Sequence, residues 1–356
     1  MTTVLFTWDV RPALRDHLAR GLSDVPGVRL VYPDHADPAA LVYPARPDVD
    51  GLADHAAEAD VIIGWRPTRD LLEAATRLRV WINPGAGVGH LVELFREVNA
   101  ARGVPIALVN GHGNATFTAQ HAVALLLALT NRVVMHHNWM AEGRWRTGDT
   151  DGASTPLRGR TVGLLGYGHI NRLVHRFLGG FDVAFAILRR SWRPGEREVE
   201  DERVLPAAAS RYRPDELGAF LDAVDTLVIA VPETAETTGI IDGAALGRLG
   251  PRGLVVNVAR GPVVVEADLF AALRDGAIAG AALDVWYQYD PAPDTDGRRF
   301  PFHLPFHTLP NVVLSPHRAA SPLDDLGRWD EVIENVWRIA AGRTDLRNEV
   351  DLTRGY

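Results

Sequence analysis

The sequence predicts an α/β protein built from two doubly wound parallel sheets, and three observations carry that expectation. Short runs rich in β-branched residues recur along the chain. Amphipathic helical stretches alternate with them. The alternation pauses once, over a long apolar helix, and then begins again. Strands that alternate with helices imply right-handed crossovers and parallel pairing.

In the first unit the runs VLFTWDV, VRLVYP, DVIIGW, RVWIN and PIALVN read as buried strands separated by helical or turn segments. The long helix starts near Ala115, runs through AQHAVALLLALTNRVVMHHNWM and is broken at GRWRTG. Residues Arg146 to Gly159, rich in Gly, Asp, Thr and Ser, read as a linker or surface loop. The second unit restarts with the strand TVGLLG and the helix INRLVHRFL. The strands DVAFAILR, TLVIAVP, GLVVNVA, IAGAALDVW and NVVLSPH follow, with helices such as DELGAFLDA and EADLFAALRDG between them. PAPDTDGRRFPFHLPFH is an irregular loop long enough to suggest function. The last helix, roughly Asp324 to Ala341, follows the second sheet, and its return to the first unit would make that unit discontinuous.

Composition narrows the chemistry. At 356 residues and 47% hydrophobic, the chain is expected to fold as two domains. There is no cysteine, which removes disulfides, thiolate metal sites and cysteine nucleophiles. All 37 basic residues are arginine, so Schiff-base chemistry, a P-loop lysine and a Tyr/Lys proton relay are excluded. The thirteen histidines show no HExxH-type spacing, so no metal is expected. A net charge of -8 argues against nucleic-acid or anionic-membrane partners. The start, MTTVLFTWDV, lacks a basic region ahead of an apolar one, and no apolar run is long enough to span a bilayer; a cytoplasmic protein is expected.

Four motifs carry chemistry. Gly166 and Gly168 lie where the first strand of the second unit turns into a helix, a turn that lets a pyrophosphate approach helix amides; Asn171 stands where a third glycine is usual. The next strand ends in Arg189 and Arg190 where an NAD enzyme carries an acid, which favours NADP(H), since a guanidinium pairs with a 2′-phosphate. Arg260 follows GLVVNVA, at the sheet edge where ligands bind, and suits the carboxylate of a 2-oxo acid. His317 follows NVVLSP and suits the exchange of a proton with the carbonyl oxygen. In that order the motifs supply the parts of a hydride-transfer enzyme.

The set VNVARGPVV, GAIAGAALDVW and NVVLSPHRAA, with LRGRTVGLLGYGHIN and VPETAETTGIID, resembles the D-2-hydroxyacid dehydrogenase family over most of the chain. NPGAGVGHL is similar to that family's glycine-rich substrate loop, and NGHGNATFTAQHAVALLLAL to its hinge and interdomain helix. The resemblance implies a Rossmann coenzyme domain, 116–317, inserted in a discontinuous flavodoxin-like substrate domain, 1–115 and 318–356, and a homodimer. It implies coenzyme contacts from Gly166, Gly168, His169, Ile170, Arg189, Arg190, Val231, Pro232, Thr237, Val258, Ala259, Asp284 and His317. Amides around Ala86, Gly87 and Val88 would grip the substrate carboxylate, Arg260 would orient the substrate and His317 would act as acid/base. Arg66 is a candidate for a second anionic group. Trp139, Trp145, Trp286, Tyr287 and Arg318 are candidates either for the pocket or for core and interface.

Two departures stand out. The family's glutamate that pairs with the histidine falls at Tyr289, so either Asp290, one residue on, takes the role or His317 works without a carboxylate. Gln288 lies near the place where formate dehydrogenases use a glutamine, and Gln120 replaces the glutamate of the VAEH pattern. A formate- or phosphite-type anion dehydrogenase and a dinucleotide-sensing binding protein are therefore alternatives to the 2-oxo acid reductase. The adenosylhomocysteine hydrolase type is excluded by the missing lysine.

Overall fold

The computed structural model describes residues 1–32, 49–145, 150, 152–192, 209–320, 322 and 324–356. Contacts divide the chain into two compact units, Met1–Asn114 with Pro322–Tyr356, and Ala115–Ser321.

The first unit contains β1 (Thr2–Phe6), α1 (Pro12–Gly21), β2 (Val28–Val31), α2 (Val49–Glu58), β3 (Val61–Ile63), α3 (Arg69–Ala74), β4 (Val80–Asn83), α4 (Val92–Ala100) and β5 (Ala107–Asn110). Its strands pair in parallel in the order β2-β1-β3-β4-β5, the flavodoxin-like order. Both faces of this sheet are covered, which is why its strands read as unbroken apolar runs. Leu5, Ile62, Trp81 and Leu108 pack with Leu71, Leu72 and Phe95 on one side. Val4, Phe6, Ile63 and Ile82 pack on the other with Leu14, Leu18, Trp329, Val332 and Val336. The last three belong to the return of the chain through a short turn, Leu326–Trp329, and the final helix.

The second unit opens with α5 (Ala115–Thr130) and α6 (Val133–Ala141). Next come β6 (Thr161–Leu165), α7 (His169–Leu178), β7 (Ala184–Leu188), β8 (Ala209–Tyr212), α8 (Leu217–Asp222) and β9 (Thr226–Ile229). The unit closes with α9 (Gly243–Leu249), β10 (Leu254–Asn257), α10 (Glu266–Arg274), β11 (Gly280–Leu283) and β12 (Val312–Leu314), and α11 (Asp330–Ala340) follows as the final helix of the first unit. The sheet is parallel throughout, in the order β12-β11-β10-β9-β6-β7-β8, and the direction of winding reverses between β6 and β9. That reversal is where an open α/β sheet leaves a crevice for a ligand.

Three elements differ from the sequence expectation. The long helix is two, bent by 61° between Thr130 and Val133. Arg132 adopts the left-handed region at φ 52°, while the Thr130 hydroxyl and the Asn131 amide bond to the Leu126 and Leu127 carbonyls, so side chains take over acceptors as the helix ends. Strand β8 escaped notice because ASRY is short and half-exposed at the sheet edge. Several strands also stop earlier than their apolar runs, and the overrun residues form loops at the carboxyl edge. The Arg146–Gly159 segment lies partly outside the described residues.

Buried Arg160 joins the second sheet together. Its Nη1 donates to the carbonyls of Asp225 (3.1 Å) and Arg252 (2.9 Å) and lies 3.3 Å from the Asp225 carboxylate. Arg160→Met is expected to cost about 3 kcal/mol, because it strands buried acceptors. A thermal melt that matches the parent would contradict this role.

Candidate active site

The turn after β6 is shaped for close approach. Gly166 sits at φ +82°, where a Cβ would lie 2.7 Å from the Ala230 carbonyl oxygen. A Cβ on Gly168, just ahead of α7, would meet nothing within 4 Å, so the ground before the helix amides of His169 and Ile170 is open. Asn171 explains the missing third glycine. Fully buried, its Nδ2 donates to the carbonyls of Leu165 (3.1 Å), Gly166 (2.7 Å) and Val228 (3.3 Å), tying the turn to the ends of β6 and β9.

The loops after β7 and β9, the strands that flank β6, carry further coenzyme candidates. Arg189 and Arg190 follow β7, and the indole of Trp192 lies under the guanidinium of Arg189 at 5.1 Å and of Arg211 at 4.8 Å. Val231 and Pro232 follow β9. The Thr237 hydroxyl donates to the Pro232 carbonyl at 2.6 Å and accepts from the Thr234 amide, which folds that loop back.

The Arg260 turn follows β10. Asn257 braces it from both sides: its Nδ2 donates to the Arg260 carbonyl (2.9 Å) and its Oδ1 accepts from the Ala259 amide (3.0 Å). Val258 and Ala259 are buried, whereas Arg260 is half-exposed with Nη1 donating to the Ala259 carbonyl at 2.6 Å. Gly261 has to be glycine, since a Cβ there would lie 2.2 Å from the Trp286 carbonyl oxygen.

His317 follows β12 at φ 55°, in the left-handed region that a side chain rarely adopts. Asp284, buried at the end of β11, holds that turn. Its carboxylate accepts from the amides of Arg318 (2.7 Å) and Ala319 (3.0 Å) and from the Ser315 hydroxyl, with His121 Nε2 at 3.5 Å. His121 Nε2 is also 2.9 Å from Ser315 Oγ. Burial opposes the charge on Asp284, yet the hydrogen bonds from His121, Ser315 and the two amides hold its carboxyl below the usual carboxylate range.

The imidazole of His317 stays open to solvent although protein packs around it. Its pKa lies below the ordinary histidine value, first through desolvation and then through the positive charge of Arg260, against the opposing pull of Asp284. The arginine and the histidine, 57 positions apart in the chain, follow turns that both pack on the Trp286 segment. Asp290 corrects the sequence expectation. It is exposed, and neither an ion pair nor a hydrogen bond joins it to His317; the ring of Tyr289 lies against the imidazole instead, centroids 5.4 Å apart and edge-to-face. Gln288 is turned to His303, which is paired with Glu266 at 2.6 Å, so the formate-type glutamine is also absent from the imidazole.

Trp286 is a core residue whose indole donates to the Ser315 carbonyl at 2.8 Å, and the Tyr287 hydroxyl donates to the Val264 carbonyl. Trp139 is half-exposed with Arg144 over its ring, and Trp145 is exposed.

In the first unit, the loop after β4 is pinned by two asparagines. Asn83 Nδ2 donates to the Gly85 carbonyl and Asn110 Nδ2 to the Ala86 carbonyl at 2.8 Å. The amides of Ala86, Gly87 and Val88 meet no acceptor among the described residues, which leaves a row of donors for an anion. Arg66, exposed after β3, has no carboxylate partner among the described residues. Sequence reasoning gave no role to Asn83, Asn110, Asn257 and Ser315, each polar, buried and inside one of the quoted motifs.

A parallel sheet with a glycine turn at its switch point, and an arginine beside a histidine at its carboxyl edge, define a dinucleotide-dependent oxidoreductase. Residues 123–319 match the family model for the D-isomer specific 2-hydroxyacid dehydrogenase, NAD binding domain. The chain is 29% identical to glyoxylate/hydroxypyruvate reductase A of Serratia proteamaculans over 84% of its own length and 88% of that protein. It is 32% identical to glyoxylate reductase of Pyrococcus furiosus, over 76% and 73% of the two chains. The solved D-isomer specific 2-hydroxyacid dehydrogenase from Xanthobacter autotrophicus Py2, in complex with NADPH and MES, superposes with a TM-score of 0.74 at 25% identity, covering 100% of this chain and 99% of that one. The chain belongs to the D-isomer specific 2-hydroxyacid dehydrogenase family and is an NAD(P)-dependent oxidoreductase acting on 2-oxo and 2-hydroxy acids.

Gly261→Ala pushes a methyl group into the backbone and is expected to cost about 3 kcal/mol, read as a lowered melting temperature. Gly168→Ala faces open space and is expected to stay within about 1 kcal/mol of the parent. Equal melting temperatures for Gly261→Ala and the parent would contradict the close approach to Trp286.

Proposed function

We propose that the protein is an NADP(H)-preferring reductase of 2-oxo acids, with 116–317 as the coenzyme domain and 1–115 and 318–356 as the substrate domain. The observation that carries this is the packing of the Arg260 and His317 turns on one segment after β11, where Gly261 closes on the Trp286 carbonyl and the Trp286 indole holds the Ser315 carbonyl. The coenzyme fits the second unit: Gly166 and Gly168 leave room for the pyrophosphate, with His169, Ile170, Val231, Pro232, Thr237, Val258, Ala259 and Asp284 around the nucleotide. Arg189 and Arg190 supply the cationic end that a 2′-phosphate needs. When bound, NADPH supplies the hydride that reaches C2 of the substrate.

The protein's own groups do the rest. The amides of Ala86, Gly87 and Val88 hold the carboxylate. Arg260 orients the acid and draws charge onto the carbonyl oxygen, and His317 protonates that oxygen as C2 gains the hydride, so that the 2-hydroxy acid leaves neutral at its new hydroxyl. Arg66 meets a further anionic group of the substrate. Its depressed pKa makes His317 a strong acid that donates readily but is protonated mainly below neutrality.

Gln288 speaks against the formate-type alternative, because it is held by His303. Helix α6 has no buried side chain and exposes Val133, Val134 and Met140, an apolar face suited to a second copy of the chain, and a homodimer follows. A coenzyme kept reduced inside the cell favours a cytoplasmic location. The net charge of -8 gives nucleic acid and anionic membranes little to hold.

NADPH oxidation followed by absorbance over a panel of 2-oxo acids tests the proposal. His317→Asn is expected to lower kcat by about 10²- to 10⁴-fold. Arg260→Leu is expected to lower kcat and raise KM together. The pair Arg189→Ala and Arg190→Ala is expected to lose about ten-fold or more of the preference for NADPH over NADH. Parent-like turnover in His317→Asn would overturn the assignment of the acid.

A further inference from the structure

Three tryptophans from distant parts of the chain meet at the carboxyl edge of the first sheet. Trp8 comes two residues after β1, Trp65 two residues after β3, and Trp329 ends the turn before α11. Trp8 and Trp329 are near-parallel, 25° apart with centroids at 5.7 Å. Trp65 closes the corner at 4.6 Å from Trp8 and stands at 85° to Trp329. Trp8 and Trp65 are half-exposed.

The three rings extend the core on this face of the sheet, and their polar ends set them apart from other packed tryptophans. Elsewhere in the chain, packed tryptophans satisfy their indole N–H: Trp81 donates to the Gly64 carbonyl (3.0 Å), Trp192 to that of Tyr212 (3.0 Å) and Trp286 to that of Ser315 (2.8 Å). The indole N–H groups of Trp8, Trp65 and Trp329 meet no acceptor among the described residues. Trp329 is buried, whereas Trp8 and Trp65 keep part of their ring surface and their N–H groups open, which leaves donors and aromatic surface available to a ligand.

Its neighbours tie it to the substrate loop. A Cβ on Gly85 would lie 3.7 Å from Trp65 Nε1, so the indole lies against the loop that carries Ala86, Gly87 and Val88. Gly113 approaches the Arg328 carbonyl so closely that a Cβ would lie 2.0 Å away, which fixes the Trp329 turn against the segment after β5. Asp9, next to Trp8, is paired with Arg15 at 2.9 Å, so the neighbouring carboxylate is already neutralised.

We propose that Trp8, Trp65 and Trp329 form the subsite for an aromatic side chain, and that the substrate class is an aryl-substituted 2-oxo acid. The proposal rests on the reading that the glycine loop holds the substrate carboxylate. A near-parallel pair with a third ring at right angles offers a face and an edge, the two ways in which an aromatic ring packs best. The carboxylate then lies toward the loop amides, and Arg66 adds positive charge at that end in place of meeting a second anionic group.

Initial rates with NADPH and phenylpyruvate, oxaloacetate or glyoxylate test this. The parent enzyme is expected to show kcat/KM for phenylpyruvate about ten-fold or more above that for glyoxylate, and Trp8→Leu is expected to erase most of that ratio. If Trp8→Leu does not fold, half-exposed Trp65→Leu serves in its place. 3-Phenylpropionate, which lacks the reacting carbonyl, is expected to compete with the oxo acid, with an inhibition constant about ten-fold weaker in the variant. A preference for glyoxylate, or a ratio unchanged in both variants, overturns the aromatic subsite and leaves the reductase reading standing. A preference for oxaloacetate overturns it in favour of a second carboxylate on Arg66. Reduction of no oxo acid sinks both readings.

Discussion

Residues Asp284 to Trp286, just past β11, are the platform on which both reactive turns rest. The Asp284 carboxylate collects the amides of Arg318 and Ala319 and so fastens His317 in a left-handed conformation. The Trp286 indole holds the Ser315 carbonyl, and the Trp286 backbone lies so close to Gly261 that no side chain fits there. A non-glycine residue in the left-handed region costs on the order of 1 kcal/mol, and hydrogen bonds to a buried carboxylate are strong enough to offset it. Remove the platform, and neither the histidine nor the arginine has a reason to keep its place.

The electrostatic consequence is an acid without a paired carboxylate. Desolvation and Arg260 both favour the neutral imidazole, while Asp284 opposes them from behind the turn and shares its charge with Ser315 and His121. Tyr289 fills the ground where a carboxylate would have strengthened the opposition. A lowered pKa leaves less imidazolium near neutrality, so reduction of a carbonyl, which consumes that proton, gains as the pH falls.

Much of this was legible in the residues. The β-branched runs marked the sheets, because strands covered on both faces need continuous apolar sequence, and the glycine turn, Arg260 and His317 announced themselves by type and order. Strand ends were less legible. VLFTWDV, DVIIGW, IAGAALDVW and NVVLSPH all run past the hydrogen-bonded strand, and the overrun residues include Trp8 and Trp65 in the first unit and Asp284 and His317 in the second. Apolar pattern measures burial, and the carboxyl edge is buried by loops as much as by pairing. The Asp290 alternative was not met because a count along the chain cannot tell which of two consecutive residues a loop sets beside the imidazole, and that residue is Tyr289. The tryptophan corner was invisible for a different reason: its members come from positions 8, 65 and 329, and only the fold brings them together.

The imidazole pKa of His317, followed by NMR titration of a histidine-labelled protein and assigned with His317→Asn, tests the platform most directly. The account predicts a value below the ordinary histidine pKa of about 6.5 in the parent, and a lower one in Asp284→Asn, where the opposing charge is gone. A parent value above the ordinary range, or one that rises or stays unchanged in Asp284→Asn, would contradict it.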